Sequence, residues 1–173
     1  MASALQNLSE FDPASLPDAD KFEIGIVCAD WNKDITHALY EGCYNTLVEQ
    51  GVKEDQIHTV QVPGTFELPT AARLLSTYKK VDAIVCIGCV IKGETDHDVY
   101  INTSVAQGLV NLSLMKGLPV IFGVLTPNTH EQALDRAGGK HGNKGVEAAI
   151  TAIRMAAQYR EMTHKDRGMA IRF

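Results

Sequence analysis

At 173 residues, with 45% hydrophobic and 21% charged side chains, the chain is long enough to bury the core of one ordinary globular domain. A formal net charge of −5 argues against nucleic acid and anionic membrane surfaces as partners, and no apolar run reaches the ~18 residues of a membrane span. The first twenty residues hold Glu10, Asp12, Asp18 and Asp20, no Lys or Arg and no apolar stretch, so they read as neither a secretory nor a mitochondrial signal. A cytoplasmic protein is expected. Pro13 and Pro17 predict an extended arm over residues 1–21, ahead of a single domain at 22–173.

In chain order, FEIGIVCA (22–29) predicts the first strand, followed by a helix from about Asp34 that stops at Gly51. IHTVQV (57–62) predicts the second, and after Pro63-Gly64 a helix runs through Tyr78. VDAIVCIGCVI (81–91) predicts the third, followed by a helix from about His97 to Met115. LPVIFGVLT (118–126) predicts the fourth, then a short helix at 129–136, a Gly-rich link, and a last helix from about Val146 to Met162. Apolar strands alternating with helices imply an α/β fold, a doubly wound three-layer sandwich around a four-stranded parallel sheet of flavodoxin type.

In such sheets ligands bind beyond the carboxyl ends of the strands. Those ends here read Asp30-Trp31-Asn32, Pro63-Gly64-Thr65-Phe66-Glu67, Lys92-Gly93-Glu94-Thr95-Asp96-His97 and Thr126-Pro127-Asn128. Trp31 can stack a flat heterocycle or cap the core. Glu67, before Pro69 and a helix start, can serve the helix dipole or bind a ligand hydroxyl. His97 is the sharpest residue: an imidazole ordinarily titrates near 6.5, suited to proton transfer. The preceding Gly93-Glu94-Thr95 offers backbone N–H groups at a helix start, a cradle for phosphate. A metal held by Glu94, Asp96, His97 and Asp98 is the weaker reading, because contiguous residues point in different directions.

Arg136 ends a helix opened by Asn128 with Glu131 three residues on, a capping-box-like start. Its guanidinium suits either the helix end or a phosphate. GGKHGNKG (138–145) resembles a phosphate loop but follows a helix, and Val146 stands where a Walker sequence needs Ser or Thr. Its glycines read better as a sharp change of direction, and Lys140, His141 and Lys144 as its added charge. The CIGC pair (Cys86, Cys89) lies inside a strand, and Cys28 and Cys43 are too far apart to complete a zinc site, so all four read as core thiols. Along the helix from His97, Ile101, Val105, Leu109 and Leu112 share one face, while Val110 and Leu114 lie off it. That spare apolar surface predicts a subunit interface.

With these segments in hand, the chain resembles the 6,7-dimethyl-8-ribityllumazine synthase family from about Phe22 to Met162. PGTFELP, GCVIKGET followed by His97, PVIFGVLT and RAGGKHGNKG carry the likeness. The resemblance implies condensation of 5-amino-6-(D-ribitylamino)uracil with 3,4-dihydroxy-2-butanone 4-phosphate, releasing phosphate and water, with no cofactor and no metal. It implies pyrimidine stacking by Trp31, with Asn32 in support, and ribityl and ring binding by Thr65, Phe66, Glu67, Cys89, Val90 and Ile91. It also implies butanone phosphate on Glu94 and Thr95, and proton transfer by His97. Phe122 and Arg136 would come from a neighbouring subunit, Arg136 to the phosphate, with Lys144 and Glu147 as a charged pair nearby.

The family assembles as pentamers, in some members as a shell of twelve. The compact GGKHGNKG link points to a 60-subunit shell with active sites at subunit interfaces. Riboflavin synthase is a further implied partner. Two departures stand out: Trp31 replaces the more usual phenylalanine, and Asp98 rather than an aromatic follows His97. A flavin-binding shell without catalysis would not need His97 and Arg136 together. A flavodoxin-like electron carrier would need a phosphate loop where ADWNKDIT stands.

Overall fold

The computed structural model describes residues 11–168, with side chains described through residue 163. Residues 1–10 of the expected arm lie outside the described residues. The rest of that arm is not extended throughout, because Pro13–Ser15 form a 3-10 turn. Pro13 presets the first φ, and Asp12 caps the turn by accepting the Ala14 N–H at 3.0 Å. The arm also touches the domain: Arg154 donates to Ser15 Oγ at 3.3 Å, and Ala19 is fully buried.

The elements are β1 (Ile24–Ala29), α1 (Lys33–Glu49), β2 (Ile57–Val62), α2 (Leu68–Tyr78), β3 (Ala83–Cys89), α3 (His97–Lys116), β4 (Val120–Leu125), α4 (His130–Asp135), β5 (Ala137–Gly139), β6 (Gly142–Asn143) and α5 (Lys144–Gly168). The main sheet has the order β2-β1-β3-β4 with every neighbour parallel. This is the doubly wound, flavodoxin-like α/β fold read from the sequence.

Burial explains which strands look most apolar. The central strands β1 and β3 are buried at every position, whereas the edge strand β2 alternates. Period-two geometry splits the core into two layers. Ile24, Ile26 and Cys28 with Val85, Ile87 and Cys89 face α1 and α5, while Val27, Ala29, Ile84 and Cys86 face α2 and α3. Gly25 is needed for close packing: a Cβ there would sit 2.6 Å from Leu75 Cδ2.

At the amino ends of the strands, Asp82 locks the sheet to α5. It accepts from Arg160 Nε at 2.8 Å and Nη2 at 2.6 Å, and its Oδ2 also accepts the Glu23 N–H at 2.8 Å. The Arg160 guanidinium lies 5.3 Å over the Phe22 ring.

Three boundaries differ from the sequence reading. The Gly-rich link is a small antiparallel hairpin of β5 and β6, closed by His141 N–H to Asp135 O at 2.9 Å and Lys144 N–H to Arg136 O at 2.9 Å. The last helix consequently begins at Lys144, two residues before the expected Val146. The cap of α4 is Thr129, which accepts from Gln132 N–H at 3.3 Å, so the box-like start falls one residue later than Asn128 and Glu131. The partner side chain is Gln132, whose Oε1 accepts the Asn128 N–H at 2.8 Å.

Candidate active site

The pairing of β1 with β2 continues past both strands. Asp30 N–H donates to Val62 O at 2.8 Å and Trp31 N–H to Pro63 O at 3.1 Å. The ladder thus carries Trp31 onto the carboxyl rim, where it is 71% exposed. That exposure rules out a cap on the core. Asn32 then reverses the chain with φ 57° and ψ 53°, the one non-glycine with positive φ among the described residues. Asparagine tolerates this region because its short amide can bond locally. Here Asn32 Nδ2 donates to Cys89 O at 2.9 Å, tying the end of β1 to the end of β3.

After Pro63-Gly64 a single 3-10 turn, Thr65–Glu67, leads into α2. Thr65 is buried and Phe66 is 59% exposed. Glu67 occupies the cap position of α2 without making a capping hydrogen bond, which leaves its carboxylate available to a ligand. On the far side, Val90 N–H bonds Leu125 O at 2.9 Å and Lys92 N–H bonds Pro127 O at 3.0 Å, extending the β3–β4 ladder to the rim. The turn from Gly93 to Asp96 follows, and α3 opens with His97. Asp96 makes no side-chain cap, and its carbonyl accepts the Val99 N–H at 3.0 Å and the Tyr100 N–H at 3.3 Å.

These segments surround one recess of about 400 Å³, within the usual range for small-molecule sites. Trp31, Asn32, Thr65, Phe66 and Glu67 line one part of it, Cys89, Val90 and Ile91 another, and His97 opens the third. Glu94 and Thr95 are exposed on the turn between Gly93 and His97; both of those flanking residues line the recess, but Glu94 and Thr95 do not. Sequence reasoning missed three lining residues as site members: Gly64, Asp98 and Ile101. Asp98 was readable as the acid beside His97, but its place in the recess depends on how α3 packs. Burial pushes the Cys89 thiol up to about 12, so at neutral pH it offers apolar surface and a carbonyl rather than a thiolate.

Phe122, Arg136, Lys144 and Glu147 do not line that recess. Phe122, Lys144 and Glu147 line a second one of about 460 Å³ between the edge strand β4 and α5, with Ser113, Thr151 and Met155. Arg136 Nη2 donates to Glu147 Oε1 at 3.2 Å, and Lys144 Nζ to Glu147 Oε2 at 2.9 Å. One part-buried carboxylate thus holds two cations and leaves one positive charge in excess. In the neighbouring hairpin Lys140 is paired with Asp135 at 2.9 Å. Among the described residues no three His, Cys, Asp or Glu side chains gather as a metal site, and no helix is long and apolar enough to cross a membrane.

The parallel sheet and its rim define an α/β protein of flavodoxin-like topology, with an aromatic-walled ligand recess that carries a histidine. Residues 21–160 match the family model of 6,7-dimethyl-8-ribityllumazine synthase. A 6,7-dimethyl-8-ribityllumazine synthase of Parabacteroides distasonis is 52% identical over 155 residues, covering 90% of this chain and 97% of that one. Enzymes of the same name from Porphyromonas gingivalis (51% identical, 90% and 97% covered) and Cytophaga hutchinsonii (50% identical, 91% and 99% covered) are similarly close. The chain belongs to the 6,7-dimethyl-8-ribityllumazine synthase family.

Proposed function

We infer that the protein condenses 5-amino-6-(D-ribitylamino)uracil with 3,4-dihydroxy-2-butanone 4-phosphate to 6,7-dimethyl-8-ribityllumazine, releasing phosphate and water, the penultimate step of riboflavin biosynthesis. The observation that carries this reading is the His97 recess at the carboxyl rim, in a chain that matches the family over residues 21–160. Trp31 and Phe66 supply flat apolar surfaces for the pyrimidine. Thr65, Glu67 and the Cys89–Ile91 strand end, positioned through Asn32, receive its polar groups and the ribityl chain. Glu94 and Thr95 lie on the turn whose backbone, with the start of α3, receives the butanone phosphate.

The ring amine attacks the ketone to give an imine with loss of water, phosphate then leaves by elimination, and the second nitrogen closes the ring with loss of water. Each step moves a proton within reach of one group, and His97 is the group at the mouth of the phosphate turn. Holding two substrates in one recess supplies a further share of the rate.

Phe122 and Arg136, with Lys144 and Glu147 behind Arg136, complete the recess of a neighbouring subunit, with Arg136 on the phosphate. The assembly is a homopentamer, built into a 60-subunit shell. Support comes from the apolar surface that α3 leaves uncovered, with Leu114 and Met115 each 77% exposed, and from the compact 137–143 hairpin. Riboflavin synthase is the partner that would consume the product, and a reducing cytoplasm suits four free, buried cysteines.

The test is a turnover assay on purified, chelator-treated protein given both substrates, following lumazine absorbance and phosphate release together. Equal appearance of the two is expected. Absence of enzyme-dependent turnover from an assembled protein would reject the catalytic reading in favour of a ligand-binding shell.

A further inference from the structure

Three turns of the carboxyl rim are cross-linked in a closed circuit. Asn32 Nδ2, in the turn from β1 to α1, donates to Cys89 O at the end of β3. From there Val90 N–H reaches Leu125 O at 2.9 Å, and Lys92 N–H reaches Pro127 O at 3.0 Å in the turn from β4 to α4. The last link runs from His130, the first residue of α4, back to Asp34, the second residue of α1, with Nε2 and Oδ2 2.6 Å apart. An ionised carboxylate only accepts, so Nε2 carries the proton. That hydrogen bond is the foremost of several causes that hold the Asp34 carboxyl below its ordinary range.

Trp31 depends on this circuit because packing does little to aim it. Its indole is largely exposed, so its orientation comes from the backbone that carries it. On one side that backbone is bonded to Val62 O and Pro63 O beside β2. On the other it passes through Asn32, whose left-handed φ of 57° is sparsely populated and persists where the surroundings hold it. The Asn32 carbonyl accepts the Ile35 and Thr36 N–H groups at 2.9 Å each, so any shift in the first turn of α1 is passed to Asn32. Asp34 lies in that first turn. Of the links in the circuit, the Asp34–His130 pair is the one made by two side chains, and neither of them lines the His97 recess.

We propose that Asp34 and His130 are positioning residues for the pyrimidine: their hydrogen bond closes the rim and fixes the turn that aims Trp31. They act on the substrate through the stacking wall and do not touch it. This rests on the synthase reading above and adds two residues to it. Both side chains are about half exposed, which keeps the effect modest.

Trp31 is the only tryptophan of the chain, so its fluorescence reports the wall directly. The experiment compares wild type with Asp34→Ala, His130→Ala and the double variant, each as the full assembled chain. The readouts are tryptophan anisotropy without substrate, KM for each substrate, and melting temperature. Each single variant is expected to lower the anisotropy and to raise the KM for ribitylaminouracil by about two- to fivefold, the range of an exposed ion pair. The KM for the butanone phosphate should stay as in wild type. The double variant should lose no more than either single one, because the second substitution removes a partner already without its bond. A lower melting temperature with unchanged anisotropy and KM would make the pair structural only and overturn the proposal. Losses that add in the double variant would overturn it by showing that the two side chains act separately. A rise confined to the KM for the butanone phosphate would also overturn it, by moving the effect along α4 to Arg136. Anisotropy needs no turnover: a pair-dependent Trp31 signal in a wild-type protein that turns nothing over would leave the clasp standing and remove the synthase reading.

Discussion

At the scale of single residues, His97 and the thiols behave oppositely. His97 is exposed at the start of α3, so removing its ring disturbs little packing. His97→Ala should therefore keep its fold and oligomeric state, while kcat falls by about 10²- to 10⁴-fold, the usual worth of a positioned acid–base group. Unchanged turnover in steady-state assays would remove it from the proton transfers. The cysteines are structural by contrast. Burial raises Cys28 and Cys89 from an ordinary value of 9.0 to about 12, and raises Cys43 and Cys86 as well. Between these values the unfolded chain has lost protons that the native state keeps, so stability is full below pH 9 and falls as pH rises towards 12. The slope should approach about 1.4 kcal/mol per pH unit for each thiol. Urea unfolding at pH 8 and pH 10 measures it, and Cys28→Ala should flatten it.

At the scale of elements, the turn between α4 and α5 governs the second recess. Asn143 Nδ2 donates to Ala38 O on α1 at 2.9 Å, and its Oδ1 accepts the Gly145 N–H at 2.7 Å. Asn143→Ala strips both bonds from part-buried backbone groups and should cost about 1–3 kcal/mol. For a chain of this size that is roughly 2–12 °C in melting temperature, readable by calorimetry. The hairpin around Asn143 was not legible in the sequence, because its register comes from backbone bonds to Asp135 and Arg136 and from contact with α1, none of which leaves an apolar period. The main strands were legible for the opposite reason: β1 and β3 are buried on both faces, so nearly every residue is apolar and reports the element directly. Strand ends then pointed to Trp31, Thr65 and His97. Asp98 was visible as a neighbour of His97 and as one of four candidate metal ligands, but its place in the wall of the recess is a property of packing rather than of residue type.

At the scale of the whole molecule, the His97 recess and the recess beside β4 share no lining residue. His97 lines the one at the carboxyl rim, and Phe122 lines the one at the edge strand β4, beside Arg136 and Glu147. If catalysis needs His97 from one subunit and Arg136 from the next, the two defects can complement each other. Separately purified His97→Ala and Arg136→Ala proteins should each be nearly inactive. Unfolded together and reassembled in equal amounts, they place an intact His97 opposite an intact Arg136 in about a quarter of the interfaces of a random ring. Turnover should return to about that fraction of wild type, whereas mixing without disassembly should restore nothing. A site complete within one chain predicts no recovery under either protocol, because every subunit would then lack one of its two groups. Recovery that tracks the mixing ratio, with its maximum at equal amounts, is the signature that distinguishes a shared site from partial refolding of either variant.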